Sequence, residues 1–304
     1  MVFDISLFSN AALVTFGVQT LGFLAAYALQ TEVFYDIFGG INFILLAVLG
    51  HLGRKEPASA RHISCTCLFI ASRGWLLLFL AWRAHHRKGD SRFDGVKDKF
   101  GLFFVFWMVQ GCWVFLISWP LIVVQSLDSA NVLEQNLTTL DIVMLLGMST
   151  GISLEILADI QKARWVSQGR QGTFCAVGVW KLSRHPNYFG EIFQWWCAWL
   201  LSYGSLSATT DPSNKAVAFW VAGIVSPLFT MTILLSMSGT GIWAAEGKNL
   251  KRYYESEHSE AYKEYRESTS PLVPMVGYKA IPLWTKRKFL FEWERFEYRP
   301  TKKE

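Results

Sequence analysis

The residues best suited to chemistry are charged or amide side chains placed in or beside long apolar stretches. The segment KLSRHPNYFGE, residues 181–191, carries Arg184, Asn187 and Glu191 where an apolar run begins. Charged groups in long apolar helices are costly, so each is by default a functional hypothesis. Asn187 and Glu191 stand one helical turn apart and can exchange hydrogen bonds with a ribose, an amide or an amino group. Their alternative role is structural, as polar contacts between neighbouring helices.

The proline at position 186 predicts where this apolar helix begins. Proline suits the first turn of a helix, because its missing N–H would have no partner there. His185 then stands just before the helix and is either a helix-entry residue or a catalytic one. Two cations next to a helix N-terminus, here Lys181 and Arg184, are typical of a binding site for phosphate or another anion.

Further charged residues mark two other apolar stretches. Glu155 and Asp159 stand one turn apart near the end of one stretch, and Lys162 follows along the same face. Arg73 lies near the middle of an earlier stretch. It either forms an ion pair with Glu155 or Glu191, or contacts a ligand.

The elements that must carry these residues are membrane helices. The chain has 304 residues, of which 52% are hydrophobic and 15% aromatic. No Asp, Glu, Lys or Arg occurs at 5–31, 100–127 or 216–245, and each run exceeds the roughly 20 residues that cross a bilayer core. The pattern predicts an all-α, polytopic membrane helix bundle with about seven transmembrane helices. The predicted spans are 11–30, 34–53, 63–82, 103–124, 139–158, 187–206 and 216–236.

The distribution of Lys and Arg predicts the orientation of the bundle. The loops after the third and fifth spans are basic, whereas the loop between the fourth and fifth has no Lys or Arg. The basic loops and a C-terminal amphipathic tail are therefore expected in the cytosol. The net charge of +5 is modest and does not suggest nucleic-acid binding. The five cysteines indicate neither a disulfide framework nor a metal site.

The motif LSRHPNYFGEIFQWW, at 182–196, resembles the signature of a membrane-enzyme superfamily. This superfamily includes steroid 5-alpha-reductases, sterol reductases and isoprenylcysteine carboxyl methyltransferases. The chain is similar over most of its length to a steroid 5-alpha-reductase C-terminal-like family. Further stretches that agree in order and spacing are GDSRF at 89–93, LEILADIQKARW at 154–165, SGTGIWAAEGKNLKRYY at 238–254 and YKEYRESTSPLVP at 262–274.

The resemblance implies that the two halves of the chain have different functions. Residues 1–135 would form N-terminal transmembrane helices on the substrate side, and 136–304 a reductase-like half with the cofactor site and the cytosolic tail. Catalytic groups that polarise a substrate are expected in the N-terminal half, where Glu32, Tyr35 and Arg73 are the candidates. The implied NADPH-binding residues are Asn187, Glu191, Asp159, Glu155, Lys162, Arg164, Arg184, Tyr188, Trp195, Arg252 and Tyr262.

The expected function is that of a membrane-embedded, NADPH-dependent reductase of a carbon–carbon double bond in a lipid. The substrate would be a sterol, an isoprenoid or a fatty acyl chain. One alternative is S-adenosylmethionine-dependent methylation of a lipid or an isoprenylcysteine-type substrate, although such enzymes tend to carry paired glutamates where this chain has Glu246 and then Gly247. A second alternative is a non-catalytic lipid-binding or scaffolding protein. The endoplasmic reticulum is the expected compartment if the source is eukaryotic.

Overall fold

A computed structural model gives the fold of the chain. Within the residues it describes, the chain forms eleven α-helices joined by short 3-10 and π turns, with no β-strand, which confirms the predicted all-α fold. A helix pairs its backbone N–H and C=O groups internally, as a lipid environment requires. The described residues are 3–54, 57–86, 93–127, 136–172, 174–207, 213–237 and 240–298. The helices are α1 (Ser6–Ala28), α2 (Phe34–Leu52), α3 (Ala60–His86), α4 (Phe100–Ser126), α5 (Thr139–Ser167), α6 (Pro186–Ser207), α7 (Asn214–Ala222), α8 (Val225–Met231), α9 (Gly241–Tyr254), α10 (Ser259–Ser268) and α11 (Leu283–Phe289).

Six helical segments of the described chain are long and apolar enough to cross a membrane. They indicate a multi-pass integral membrane protein. The first five correspond to the first five predicted spans. The six segments are Ser6–Ala28, Phe34–Leu52, Ala60–Arg83, Phe100–Ser126, Thr139–Ser167 and Asn214–Tyr254.

The remaining predicted spans, 187–206 and 216–236, differ from the simple picture of one apolar helix each. The first of them forms α6, which has 22 residues but is not one of the six segments. Polar side chains at Asn187, Glu191 and Gln194 make its first turns less apolar. The other span is divided into α7, α8 and a π turn at Thr232–Ser236. Seven membrane crossings therefore stay a prediction.

The chain divides into two compact units. The first consists of Met1–Met148 and Trp195–Pro227, and the second of Ser149–Gln194 and Leu228–Glu304. Each unit thus combines two separate stretches of the sequence.

Aromatic side chains of α1 and α4 form a core in the first unit. Phe23, Phe103 and Trp107 are at most 1% exposed. The rings of Phe23 and Phe103 meet edge to face, with centroids 5.8 Å apart. Gly22 permits this packing, since a Cβ there would lie 2.3 Å from the indole of Trp107.

A buried ion pair joins α3 to α5 in the same unit. Arg61 donates from Nε and Nη2 to the two carboxylate oxygens of Asp141, at 2.8 and 2.6 Å. The N–H and hydroxyl of Thr138 donate to the same carboxylate, each at 2.8 Å. Such a two-point pair fixes orientation as well as distance. Gly204 makes room for it, since a Cβ there would lie 2.1 Å from Asp141 Oδ1.

In the second unit, the middle turns of α5 lie directly against the first turns of α6. A Cβ on Gly151 would lie 2.7 Å from the carbonyl oxygen of Gly190. A Cβ on Gly190 would lie 2.5 Å from the carbonyl oxygen of Gly151. Small residues allow such backbone contact between membrane helices. The contact sets the polar residues of the two helices side by side.

We expect Gly190→Ala to lower the thermal stability of the purified protein, because the new methyl group forces α5 and α6 apart. Overpacking of this kind typically costs about 1–3 kcal/mol. The matched control is Gly74→Ala in α3, where a Cβ would meet nothing within 4 Å. That substitution should preserve or raise the melting temperature, since alanine favours helix. Equal melting temperatures for the two variants would contradict the close contact.

Candidate functional site

The segment that precedes α6 is anchored by hydrogen bonds to the proline-punctuated stretch TSPLVP. The N–H of Arg184 donates to the carbonyl of Ser270 at 2.8 Å. The hydroxyl of Ser183 donates to the carbonyl of Leu272 at 2.7 Å. Since α6 begins at Pro186, as predicted, these bonds hold the Arg-His pair at the start of the helix.

Glu246 of α9 is the centre of a buried charge network. Its carboxylate lies 3.6 Å from Nη1 of Arg184 and 3.0 Å from Nη1 of Arg266. Nε2 of His185 lies 3.1 Å from the carboxylate and donates to it, because an ionised carboxylate only accepts hydrogen bonds. All four residues are at most 7% exposed. The carboxylate therefore joins the loop before α6 to α9 and α10.

A second carboxylate, Glu292, completes this network from the C-terminal segment. It pairs with Nη2 of Arg184 and lies 3.8 Å from Nη2 of Arg266. The hydroxyl of Tyr278 donates to it at 2.6 Å. Two guanidinium groups thus face two carboxylates, and this balance offsets the cost of burying the four charges.

His185 adds a neutral ring to the network. Burial lowers its pKa below the ordinary value, and this outweighs the opposing influence of the Glu246 carboxylate. Its ring stacks on that of Tyr188, with the planes 4° apart and the centroids separated by 5.2 Å. The imidazole is therefore uncharged near neutral pH and held in a fixed orientation.

A partly open cavity of about 150 Å³ is bordered by the charge network. Arg184, His185 and Glu246 contribute to its lining. Lys162 and Arg170 also line it. The described lining residues thus include three cations, Lys162, Arg170 and Arg184, and one carboxylate, Glu246. Glu246 is already paired with Arg184 and with Arg266.

Aromatic side chains form much of the remaining wall. Phe174 packs against Tyr262 and Tyr265, with ring centroids 5.0 and 4.9 Å apart. Nζ of Lys162 lies 4.5 Å from the ring centre of Trp180. Burial raises the pKa of both tyrosines, so the phenols keep their protons. Tyr265 donates its hydroxyl to the carbonyl of Trp180 at 2.7 Å.

The predicted polar residues of α5 and α6 meet in pairs. Asn187 donates to Asp159 at 3.2 Å, and Gln194 donates to Glu155 at 2.6 Å. Glu191 is half-buried on the same helix. None of these five side chains belongs to the described lining of the cavity. Their contacts suit either a polar ligand surface or the structural role of joining two helices.

Three of the predicted cofactor residues, Lys162, Arg184 and Tyr262, line the cavity together. Arg164 and Arg252 are exposed and lie outside its described lining. Tyr188 contacts the site through its stacking on the histidine ring. The second unit therefore brings together part of the predicted set.

The other predicted residues belong to the first unit. The guanidinium carbon of Arg73 lies 4.8 Å from the ring centre of Trp195, and both side chains are fully buried. Tyr35 donates its hydroxyl to a backbone carbonyl of α4 at 2.9 Å. Glu32 pairs with Lys97 at 3.0 Å. These polar groups thus have partners within the protein.

Sequence reasoning missed Arg266 and Glu292 and did not give Glu246 a role in the site. Glu246 had a detectable signal, since it ends the charge-free run 216–245. The other two had none, because they lie in a tail where charged residues are frequent. Within the motifs, residues 89–92 and 238–239 lie outside the described part of the chain.

Comparison with known proteins gives one match. A family described as protein of unknown function (DUF1295) matches residues 22–269 of the chain. No curated protein and no solved structure matches it. The matched range includes the start of α6 and the whole of α9 and α10, whereas Glu292 lies beyond it.

We expect Glu246→Gln to destabilise the protein strongly, because it leaves Arg184 and Arg266 with too little negative charge. Breaking a buried pair by removing one partner typically costs about 3–5 kcal/mol. The control is Glu260→Gln, which removes an exposed pairing with Lys263. The control should match the wild type in a melting experiment, since surface pairs contribute little. A melting temperature of Glu246→Gln equal to that of the control would contradict the network.

We expect His185 to make the protein less stable as the pH falls below about 6.5. Since burial lowers its folded-state pKa, the unfolded chain binds the proton more readily. The contribution of the neutral ring is then complete above the unfolded pKa and is lost as the pH falls through the folded one. In melting curves recorded from about pH 8 to 5, His185→Gln should show a shallower decline than wild type. A slope in His185→Gln equal to that of the wild type would refute this.

Proposed function

Since the chain belongs to the DUF1295 family, and its motifs resemble those of steroid 5-alpha-reductases, we propose that it is a membrane-embedded, NADPH-dependent reductase. It reduces a carbon–carbon double bond in a lipid, such as a sterol, an isoprenoid or a fatty acyl chain. The second unit binds the cofactor, and the lipid comes from the surrounding membrane. The endoplasmic reticulum is the compartment we propose for a eukaryotic source.

The observation that carries the proposal is the excess of positive charge in the cavity. Arg184 is balanced by Glu246 and Glu292 in the charge network, and the lining adds Lys162 and Arg170 without a further carboxylate among its described residues. Guanidinium and ammonium groups are the usual partners of phosphate in proteins. S-adenosylmethionine carries a sulfonium cation, and this charge distribution favours it less. An anionic, phosphate-bearing cofactor is therefore the better fit.

The residues present fit one end of a dinucleotide. Nε of Arg184 is buried and has no hydrogen-bond partner among the described residues, so a donor is available at the cavity. Sites that hold a whole drug-sized ligand usually measure about 300–1,000 Å³, and this cavity measures about 150 Å³. The cavity therefore accommodates a phosphate-bearing part, and the remainder of the cofactor lies outside it.

Each group of the site has a distinct part in this function. Lys162, Arg170 and Arg184 bind the anionic end of the cofactor, while the aromatic wall around Phe174 limits the access of water from that side. The protonated hydroxyl of Tyr262 offers a hydrogen-bond donor at the cavity. When bound, NADPH supplies the hydride, and the reduction also consumes one proton.

Ligand-dependent melting of the detergent-purified protein tests the proposal with NADPH, NADH and S-adenosylmethionine. A ligand at a hundredfold its dissociation constant stabilises the folded state by about 2.7 kcal/mol. We expect this response with NADPH and a weaker one in Lys162→Gln, since a hydrogen bond to a charged group contributes about 1.5–3 kcal/mol. The control Lys279→Gln removes an exposed cation outside the described lining and should respond as wild type does.

The other outcomes favour the alternatives. A response to S-adenosylmethionine alone would favour methylation. No response to any ligand would favour a non-catalytic lipid-binding protein. If NADPH binds, its oxidation in the presence of sterols, isoprenoids and unsaturated acyl lipids identifies the substrate class, and a purely lipid-binding protein would show none.

A further inference from the structure

Four uncharged polar side chains are buried among the apolar residues of α1, α2 and α4. They are Thr15 and Gln19 in α1, Asn42 in α2 and Gln110 in α4, and each is at most 4% exposed. All three helices are long and apolar enough to cross a membrane. Polar groups inside such helices are costly, and each is by default a hypothesis of function.

These side chains form one group, because contacts link α2 to both of the other helices. Asn42 donates from Nδ2 to the carbonyl of Thr15 at 3.2 Å. One turn before Asn42, a Cβ on Gly39 would lie 2.6 Å from Nε2 of Gln110. The amide of Gln110 thus lies against the same face of α2 as Asn42.

Gln19 links α1 to α4. It follows Thr15 by one helical turn, and its Cγ would lie 3.3 Å from a Cβ on Gly111. Gly111 is the neighbour of Gln110 in α4. The four polar side chains therefore lie within about one turn of one another, at the meeting point of the three helices.

Most side-chain hydrogen-bonding atoms of these four residues have no partner among the described residues, and the same holds for the indole of Trp107, one turn before Gln110 in α4. They comprise carbonyl acceptors, amide and indole donors and one hydroxyl. The atoms are Thr15 Oγ1, Gln19 Oε1 and Nε2, Asn42 Oδ1, Gln110 Oε1 and Trp107 Nε1.

Another glutamine of α4 behaves differently. Gln125 is 1% exposed, and its Nε2 donates to the carbonyl of Ala47 at 3.2 Å. Roughly 90% or more of buried polar groups in proteins are paired in this way or with water. A concentration of unpaired atoms at one place therefore indicates a missing partner.

We propose that α1, α2 and α4 enclose a binding site for an uncharged hydroxyl group. The guest must both donate and accept, since donors and acceptors are present together. It must be uncharged, since the four polar side chains that define the site carry no charge. The terminal torsions of Gln19 and Gln110 are broad and let their amides turn toward it. Water and the alcohol group of a lipid share this chemistry, and the site does not depend on the NADPH proposal.

Whether the melting temperature falls or rises when a glutamine of the site is replaced tests whether a hydroxyl group is bound there. Leucine is close to glutamine in size and makes no hydrogen bond, so Gln19→Leu and Gln110→Leu are compared with wild type. If a guest is bound, each substitution removes one of its partners and lowers the melting temperature, by roughly 2–4 °C. If no guest is bound, each substitution removes an unpaired polar group and the melting temperature stays the same or rises, which would overturn the proposal. Gln125→Leu removes the hydrogen bond to the carbonyl of Ala47 and shows how much the melting temperature falls when one such bond is lost.

Two additives then distinguish the sources of the hydroxyl group. The purified protein is melted with 1-dodecanol and with dodecane, which differ only in the alcohol. A rise with 1-dodecanol alone, lost in Gln19→Leu, assigns the site to a lipid alcohol. Equal responses to both additives, with Gln19→Leu still less stable than wild type, assign it to water. Should either glutamine variant fail to fold, the other variant and the alcohol–alkane comparison on wild type still decide.

Discussion

The burial of two guanidinium groups is the constraint on which the second unit depends. Arg184 and Arg266 can leave water only because Glu246 and Glu292 balance them, and because the pKa of His185 is low enough to keep its ring neutral. Desolvated charges tolerate little misalignment, since an unpaired one is very unfavourable. The network thus determines how the loop before α6, α9, α10 and the C-terminal segment come together. The cavity is a consequence of this arrangement, with a charge-balanced border and further cations in its wall.

Glycine positions serve a common purpose in both units. Between membrane helices there is little hydrophobic driving force, so close approach through small residues matters more than in water. Gly22 faces an indole, Gly39 an amide and Gly204 a carboxylate, while Gly151 and Gly190 face each other's backbone. In three of these cases the space left by a missing side chain admits a polar or aromatic group from a neighbouring helix. Glycines therefore mark the places where polar or aromatic side chains are buried between helices.

Some features of the site follow from local sequence, and others depend on distant pairing. Charge-free runs predict the long helices, and Pro186 predicts where α6 begins, because both depend on neighbouring residues only. The approach of Asn187 to Asp159 follows from two polar stripes that need partners. Glu246 pairs with Arg184, which lies 62 positions earlier in the sequence, and no local sequence pattern predicts a contact at that separation. The interruption of the span 216–236 had a local signal, since Gly223 ends α7 and Pro227 lies in α8, although no charged residue marks the break.

The position of Glu292 in the sequence determines when the charge network of the second unit can be completed during synthesis. It follows its partner Arg184 by 108 residues, so at roughly 5–20 residues per second it leaves the ribosome on the order of 5–20 s later. Throughout that interval the growing chain carries the guanidinium group without its second carboxylate. The membrane helices of both units are already made by then. The interior of the second unit is therefore completed late in biosynthesis, by residues outside the range shared with the family.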